Sequence, residues 1–323
     1  MERIVDRMMA AMLRGTLEVV GRLPADFARV FCATLARGYA VLGGPRVDDA
    51  RTNLALAFPE VSQSARQKIL IASFANLGRS FAELARMVAA SDRAGFERVR
   101  IEGREHLEAL ERARGKGGAL VVTAHFGSWE FCAAALAHHG LPVSVVQHPR
   151  RNVEVDRVVN GWREANGLET LSIGRAALGV FRALGRGRYV ALLLDQNASE
   201  EEGIYAPFFG TPACTRSGPA QLAMTRDAPV VPVFFFREGT SGNHTARIGA
   251  PIEVEPEGEA PDKALAVNVE RMNAAIEAAI RQAPEQWIWT HRRFKTRPRG
   301  AASIYPPRRG LLRRFRHALR GAR

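Results

Sequence analysis

The sequence has few cysteines, and they do not form pairs. Cys32, Cys132 and Cys214 are the three cysteines in 323 residues, without the close spacing of a zinc site or the even number of a disulfide framework. This usage favours a reducing compartment. His138 and His139 are adjacent, so on a helix they would point about 100° apart and would not form a metal-ligand pair. We expect neither a metal nor a cofactor.

Long apolar runs are also missing. No stretch reaches the roughly 18 uninterrupted apolar residues that a membrane-spanning helix needs, and the best candidate, residues 30–43, is too short and contains Arg37. Charged residues interrupt the first twenty positions as well, so the N-terminus does not match a secretory signal. We expect a protein on the cytosolic side that contacts a membrane surface and does not cross it.

Acidic residues are absent from the last part of the chain. Residues 291–323 contain 12 Lys or Arg and no Asp or Glu, although the whole chain carries a formal net charge of only +13. The preceding residues are therefore nearly neutral. Within the tail, Leu311, Leu312, Phe315 and Leu319 lie near one helical face, which is typical of a basic amphipathic helix at an anionic membrane. The alternative is a disordered basic tail.

The cationic tail raises the alternative of a nucleic-acid-binding protein. Against it, the body is nearly neutral and the tail lacks the interleaved aromatic residues that stack on bases, Phe315 being the main one in the final stretch. We therefore expect no nucleic-acid partner.

The N-terminal third has the periodicity of helices. Apolar residues recur at helical spacing through residues 1–92, with a break at Pro24 and a second helix start near Ser62 or Ser64. The apolar faces of the first helices either pack on the body or anchor the protein at a membrane surface. Both interpretations stay open at this stage.

From about residue 93 strands alternate with helices. The predicted strands are 118–124, 141–147, 188–194 and 230–236, and the predicted helices are 128–139, 153–166, 174–185, 216–226 and 263–282. This alternation predicts an α/β fold with a mostly parallel central sheet flanked by helices. We divide the chain into an N-terminal helical segment (1–92), an α/β domain (93–298) and a basic C-terminal helix or tail (299–323).

The stretch "LVVTAHFGSWEFCAA" (120–134) combines a buried strand, a turn and a helix start. His125 follows the strand, Gly127 gives the turn freedom, Ser128 is a candidate N-cap, and Glu130 falls in the first helical turn. Open α/β sheets place their chemistry at this carboxyl edge. His125 is either a structural histidine or a general base whose ring Glu130 orients across the turn.

Other polar residues are predicted at the same edge. Asp195 and Gln196 directly follow the apolar strand "YVALLL", and Arg163 lies late in a predicted helix. Each also has a plain interpretation, a solvated turn for Asp195 and a partner of the helix dipole for Arg163.

The quoted segments resemble those of a known family. "RTNLALAFPEVS", "VVTAHFGSWEF", "RRNVEVDRVVNGWREANG", "LLLDQN", "PFFGTPACTRSGPAQLA", "APVVPVF" and "PEQWIWTHRRFKTRP" occur in this order. With them the chain resembles the late acyltransferases of bacterial lipid A biosynthesis, within the lysophospholipid acyltransferase superfamily. The resemblance covers roughly residues 51–298.

The resemblance implies an acyltransferase with a glycerophosphate-acyltransferase-like fold. It would move a fatty acyl chain from acyl carrier protein to a hydroxyl of a lipid A precursor of the Kdo-lipid A type. The implied catalytic residues are His125 as general base and Glu130 as its partner, and the implied substrate-binding residues are Arg163, Asp195, Gly127 and Arg150. Backbone amides near Gly127, or Arg163, would stabilise the oxyanion. Ser128 lacks a G-x-S-x-G context, which favours direct transfer over an acyl-enzyme.

The implied partners are acyl carrier protein, an anionic lipid acceptor and a membrane surface. Because acyl carrier protein is acidic, Arg292, Arg293 and Lys295 are candidates to steer it. The implied location is the cytoplasmic face of the inner membrane, with peripheral or weak anchoring. Another acceptor, such as a glycerophospholipid, a phosphatidylinositol mannoside or an aminolipid, stays open, and so do the acyl chain length and a coenzyme A donor.

Overall fold

The computed structural model describes residues 2–89, 93–115, 117–147, 152–172 and 176–306. Its helices are α1 (Glu2–Arg22), α2 (Ala25–Leu42), α3 (Pro45–Ala57), α4 (Gln63–Val88), α5 (Arg104–Arg114), α6 (Trp129–His138), α7 (Val153–Ala165), α8 (Ala176–Gly185), α9 (Gly218–Arg226) and α10 (Pro261–Gln282). Its strands are β1 (Val99–Glu102), β2 (Ala119–Thr123), β3 (Val143–Gln147), β4 (Glu169–Ser172), β5 (Tyr189–Leu193), β6 (Gly203–Phe208), β7 (Thr211–Arg216), β8 (Val230–Arg237) and β9 (His244–Ile248).

Seven strands form one sheet in the order β1-β9-β8-β2-β5-β3-β4. All neighbouring pairs are parallel except β8 and β9, which are antiparallel. The strands β6 and β7 form a separate antiparallel hairpin. This confirms the predicted α/β fold with a mostly parallel sheet flanked by helices.

The central strands are buried on both faces, as their continuous apolar runs predict. Leu120 and Val122 of β2 belong to a core that includes residues of α8, α9 and α10. Val121, between them, faces the opposite side and belongs to a core with residues of α5, α6 and α7. The alternation along one strand therefore assigns two different helical layers to the two faces of the sheet.

The four N-terminal helices include both predicted breaks and one at residues 43–44, between α2 and α3, that was not predicted. Pro24 separates α1 from α2, and the Ser62 hydroxyl accepts a hydrogen bond from the amide of Ala65 at 3.2 Å, so Ser62 is the N-cap of α4. Both α1 and α2 pack on α4. Within the described ranges, no helix combines the length and apolar composition that a membrane span requires.

The sequence located the elements that carry long apolar runs and missed several short ones. The predicted strands correspond to β2, β3, β5 and β8, and the predicted helices to α6–α10. The strands β1, β4 and β9, the β6–β7 hairpin and helix α5 were not predicted. The two edge strands β1 and β4 have only one buried residue between them, so they carry no apolar run to detect. The basic tail lies largely outside the described residues, and the division of the chain at residues 92 and 298 stays a prediction.

Candidate active site

The loop between β2 and α6 places His125 at the carboxyl edge of the sheet. Gly127, at the centre of this loop, has φ +61°, a conformation that side chains disfavour. A Cβ there would lie 1.8 Å from the carbonyl oxygen of Phe235 on β8. Only glycine lets the loop pass this close to the neighbouring strand. Ser128 precedes α6 but makes no capping hydrogen bond with its side chain.

His125 is oriented by Asp195, which follows β5. Its Nδ1 lies 2.9 Å from Oδ1 of Asp195, and its backbone amide donates to Oδ2 of the same carboxylate at 3.0 Å. Trp287 donates its indole N–H to Oδ2 at 2.8 Å. A carboxylate only accepts hydrogen bonds, so Nδ1 must carry the proton and Nε2 has a free lone pair. The prediction that Glu130 orients the imidazole was wrong.

Glu130 instead pairs with Arg163. The guanidinium donates through Nη2 to Oε1 and through Nε to Oε2, the second bond measuring 3.1 Å, and Nη1 donates to Oε1 of Gln147 at 2.5 Å. Both partners of the ion pair are largely buried. Because Glu130 lies in the first turn of α6, its side chain reaches across to α7 and not back over the turn. Four of the polar residues implied by the resemblance thus form two pairs, His125 with Asp195 and Glu130 with Arg163.

The charges around His125 change its pKa in opposing directions. Burial by itself lowers the pKa of the imidazole, but the Asp195 carboxylate, its hydrogen bond and the charge of Glu130 outweigh burial and raise it above the ordinary value. Arg163 opposes this rise. Burial also raises the pKa of Asp195, but the charge and hydrogen bonds of His125, with the Trp287 bond, lower it to about 2. Asp195 therefore stays ionised, and the imidazole is a stronger base than in water.

A slot of about 340 Å³ opens beside His125. It lies between α6 and the face of the sheet that carries Val121, and apolar side chains line most of its length. Polar groups gather at one end, which we call the mouth: His125, Glu130, Gln147, Arg163, Gln196 and Arg216. The site thus joins a titratable pair to a long apolar cavity, the combination expected of a binding site for an apolar ligand with one reactive end.

Gln196 lies against the imidazole without blocking it. Its amide nitrogen is 3.2 Å from Nε2 and 3.5 Å from Nδ1 of His125. These nearly equal distances place the nitrogen over the ring face, since a nitrogen bonded in the ring plane to Nε2 would be much farther from Nδ1. The in-plane lone pair of Nε2 is therefore not taken by Gln196.

The remaining two predicted substrate-binding residues are Gly127 and Arg150. The amide of Gly127 donates to the backbone carbonyl of Gln286 at 2.9 Å, so this amide is already bonded; that other backbone amides near Gly127 stabilise an oxyanion stays a prediction. The loop turns sharply here, so this N–H points away from the slot. It lies beside the isolated antiparallel β-bridge between Phe126 and Trp287. Arg150 lies outside the described residues.

The loop that carries Asp195 and Gln196 is held by the segment after α10. Arg293 is fully buried and donates to the carbonyls of Cys214 at 2.8 Å and Gln196 at 3.3 Å. The prediction that Arg293 steers an acidic partner was therefore wrong. His291 accepts from the amide of Asn197 at 3.0 Å, and burial lowers its pKa to about 4, which keeps it a neutral acceptor.

The sequence analysis did not predict Trp287 or Gln147 as residues of the site, and it assigned no role to Gln196. Trp287 lies in the quoted segment "PEQWIWTHRRFKTRP", but nothing in that segment indicates that its indole reaches Asp195. Gln147 ends β3 at the same sheet edge as His125 and Asp195, so its position was a usable signal. Gln196 was noted only as a polar neighbour of Asp195.

Comparison with known proteins assigns the chain to an enzyme family. The family model described as bacterial lipid A biosynthesis acyltransferase matches residues 3–296. The protein is therefore an acyltransferase. It belongs to the bacterial lipid A biosynthesis acyltransferase family, as its sequence resemblance predicted.

Individual relatives agree with this assignment. The chain is 32% identical over 261 residues to the lipid A biosynthesis palmitoleoyltransferase of Escherichia coli, covering 79% of this chain and 81% of the relative. It is 29% identical over 254 residues to the lauroyltransferase of the same organism, covering 78% and 80%. It is 26% identical over 282 residues to the myristoyltransferase, covering 87% and 85%. The three relatives are named for three different acyl groups.

Proposed function

We propose that the protein transfers a fatty acyl chain from an acyl carrier protein thioester to a hydroxyl group of a lipid A precursor, with His125 as general base. One observation supports this most directly. The imidazole is held through Nδ1 by Asp195, and its ring lines the mouth of an apolar slot. An acyl chain in the slot has its thioester at the mouth, where the acceptor hydroxyl meets Nε2.

The reaction needs one base and no protein nucleophile. Nε2 removes the proton of the acceptor hydroxyl as its oxygen attacks the thioester carbonyl, because the free alcohol is a poor nucleophile at neutral pH. The tetrahedral intermediate then breaks its C–S bond, and the departing thiolate takes the proton back from Nε2. Asp195 stays ionised throughout and stabilises the imidazolium, the role that the acid has in a serine-hydrolase triad.

Arg163 is the proposed oxyanion stabiliser. It lines the mouth, it is buried, and Glu130 and Gln147 fix its guanidinium from two sides. A positive charge fixed in this way needs no rearrangement when negative charge develops on the carbonyl oxygen. In this proposal Glu130 acts through Arg163 and is a positioning residue, although its charge also helps to raise the pKa of His125.

Donor and acceptor can be tested together with the purified full-length protein. Lauroyl acyl carrier protein and lauroyl coenzyme A are each offered with a lipid A precursor and, separately, with a lysoglycerophospholipid, and the products are identified by mass spectrometry. We expect one added acyl group on the lipid A precursor, with acyl carrier protein as the preferred donor. Since the acyl group is not assigned, palmitoyl donors are run in parallel. Acylation of the lysoglycerophospholipid alone would contradict the proposal.

The N-terminal helices are the proposed membrane contact. Thirteen of the sixteen large apolar side chains that are exposed in the described part of the chain lie on α1 and α2, among them Met8, Met12, Phe27, Phe31 and Leu35. Clusters of exposed large apolar side chains often mark a membrane or protein interaction site. Because the acceptor is a membrane lipid, we propose that this face lies in the headgroup layer and that the protein is peripheral at the cytoplasmic face of the inner membrane.

Vesicle binding tests this face. Phe27 and Phe31 stack with ring centroids 5.9 Å apart, and changing both to serine removes apolar area without entering the core. We expect at least about tenfold weaker binding to vesicles containing phosphatidylglycerol, at low and high salt alike, because the lost contribution is apolar. Leu178→Ser is the matched control, since Leu178 is exposed on α8, which packs on β3, β4 and β5. Equal binding of the two variants would contradict the proposal.

A further inference from the structure

The slot beside His125 runs parallel to the strands, from their carboxyl ends towards their amino ends. Tyr189 and Leu193, the first and last residues of β5, both line it, and Thr123 of β2 pairs with Leu193 next to His125. Four residue steps of a strand span about 13 Å. Tyr189 therefore lies at the opposite end of the slot from the mouth, which we call the floor.

The wall between mouth and floor is apolar apart from Thr123 of β2, which lies next to the mouth. Helix α6 covers the middle of the slot with the small side chain of Ala133, and Leu136 follows one turn later. Val145 and Ala191 face it from the sheet. Small residues on α6 leave the space, and the strands beneath supply the apolar surface.

The floor separates apolar space from solvent. Tyr189 is 6% exposed, and its hydroxyl donates to Oε1 of Glu111 at 2.9 Å. Glu111 itself lies on the exposed surface of α5. Burial raises the pKa of Tyr189 to about 12, with the Glu111 bond and charge adding to the rise, so the hydroxyl keeps its proton and stays a donor. An alkyl chain that passed the ring would meet a carboxylate and water.

We propose that the Tyr189 ring sets the longest acyl chain that the enzyme transfers. The proposal rests on the proposed function, in which the slot holds the acyl chain. A chain that reaches the ring with its thioester at His125 is fully buried. A longer chain must either project from the mouth, which moves the thioester away from Nε2, or push past the ring into water. In both cases each extra methylene loses the roughly fourfold gain in binding affinity that its burial would provide.

The test offers the full-length protein an equimolar mixture of acyl carrier protein thioesters from decanoyl to palmitoyl, with a lipid A precursor as acceptor. Product masses give the chain-length distribution. For Tyr189→Ala we expect the ratio of product with two extra carbons to product with the wild-type chain to rise by about tenfold. Tyr189→Leu, which keeps an apolar but shorter side chain, gives the same shift if the alanine variant does not fold.

Two further variants make the result specific to the floor. Tyr189→Phe keeps the ring, so its chain-length distribution should stay that of the wild type. Val190→Ala removes side-chain volume from the next residue of β5, which faces the opposite core, and its distribution should also stay unchanged. An unchanged distribution in folded, active Tyr189→Ala or Tyr189→Leu would overturn the proposal, and so would a shift of equal size in Val190→Ala.

A variant in the middle of the slot separates this proposal from the proposed function. Ala133→Leu fills the slot above the floor and should move the distribution to shorter chains. If Ala133→Leu shortens the chain while the Tyr189 variants have no effect, the slot binds the acyl group and the assignment of the floor fails. If folded, active Ala133→Leu and Tyr189→Leu both keep the wild-type distribution, the slot does not hold the acyl chain and the floor proposal fails, while acyl transfer to the lipid A precursor still stands.

Discussion

Replacing His125 by alanine is expected to lower kcat by about 10²- to 10⁴-fold, the contribution that a general base makes. Without Nε2 the acceptor hydroxyl has no group to take its proton as the C–O bond forms. Initial rates with saturating acyl carrier protein thioester and lipid A precursor measure the effect. The fold should persist, because Asp195 keeps its bonds from Trp287 and from the backbone amide at position 125.

A second histidine provides the matched control. His138 lies at the end of α6, is partly exposed and pairs with Glu97 at 2.8 Å, outside the slot. His138→Ala should keep the wild-type rate. A His125→Ala protein with the wild-type thermal transition and the wild-type kcat would rule out the proposed mechanism.

Replacing Asp195 by asparagine is expected to cost up to about 10⁴-fold in kcat, the loss seen when the acid of a serine-hydrolase triad becomes an amide. The asparagine oxygen can still accept from the backbone amide of His125 and the indole of Trp287, which both donate to Oδ2 of Asp195. The N–H₂ group then faces the Nδ1–H of His125, which donates to Oδ1 in the wild type. Relief of that clash favours the other imidazole tautomer, in which Nε2 carries the proton and cannot act as base.

The pH dependence separates this positioning role from general loss of structure. The neutral imidazole is the active form, so the rate falls as pH decreases through the pKa of His125. In the wild type the Asp195 charge helps to raise that pKa above its ordinary value, which is roughly 6.5. Removing the charge lowers the pKa, so the acid limb of kcat/KM should move to lower pH in Asp195→Asn, on a much lower plateau.

The control for this pH profile is an exposed carboxylate elsewhere. Asp262 lies in the first turn of α10 and is exposed, so Asp262→Asn should keep both the plateau and the position of the acid limb. A limb that stays in place, or moves to higher pH, in Asp195→Asn would show that Asp195 does not set the protonation of His125.

The resemblance to a family named four polar residues that the structure joins into two pairs, and the expected pairing of His125 with Glu130 was wrong. His125 and Glu130 are five positions apart, and this short separation favoured them as partners. Asp195 is seventy positions away, but β2 and β5 are adjacent parallel strands in which Thr123 pairs with Leu193. Residues two positions beyond paired residues lie side by side at the sheet edge, and so His125 meets Asp195. Strand order, which sequence periodicity does not give, decided the pairing.

The secondary structure was predictable where burial is continuous. Helices α6–α10 and strands β2, β3, β5 and β8 follow from apolar runs and helical periodicity, because these elements bury whole faces. The slot was not predictable. It is lined by Ala133 of α6 and by Tyr189 and Ala191 of β5, and these residues come together only when the helix packs on the sheet.

The sequence by itself determined the α/β class and the family, because composition and order along one chain carry that information. The tertiary structure decided that Asp195 holds the His125 ring, that Glu130 fixes an arginine, that the Gly127 amide is already bonded, and that Tyr189 lines an apolar slot. Each of these depends on distances between residues far apart in the chain, and packing alone sets those distances.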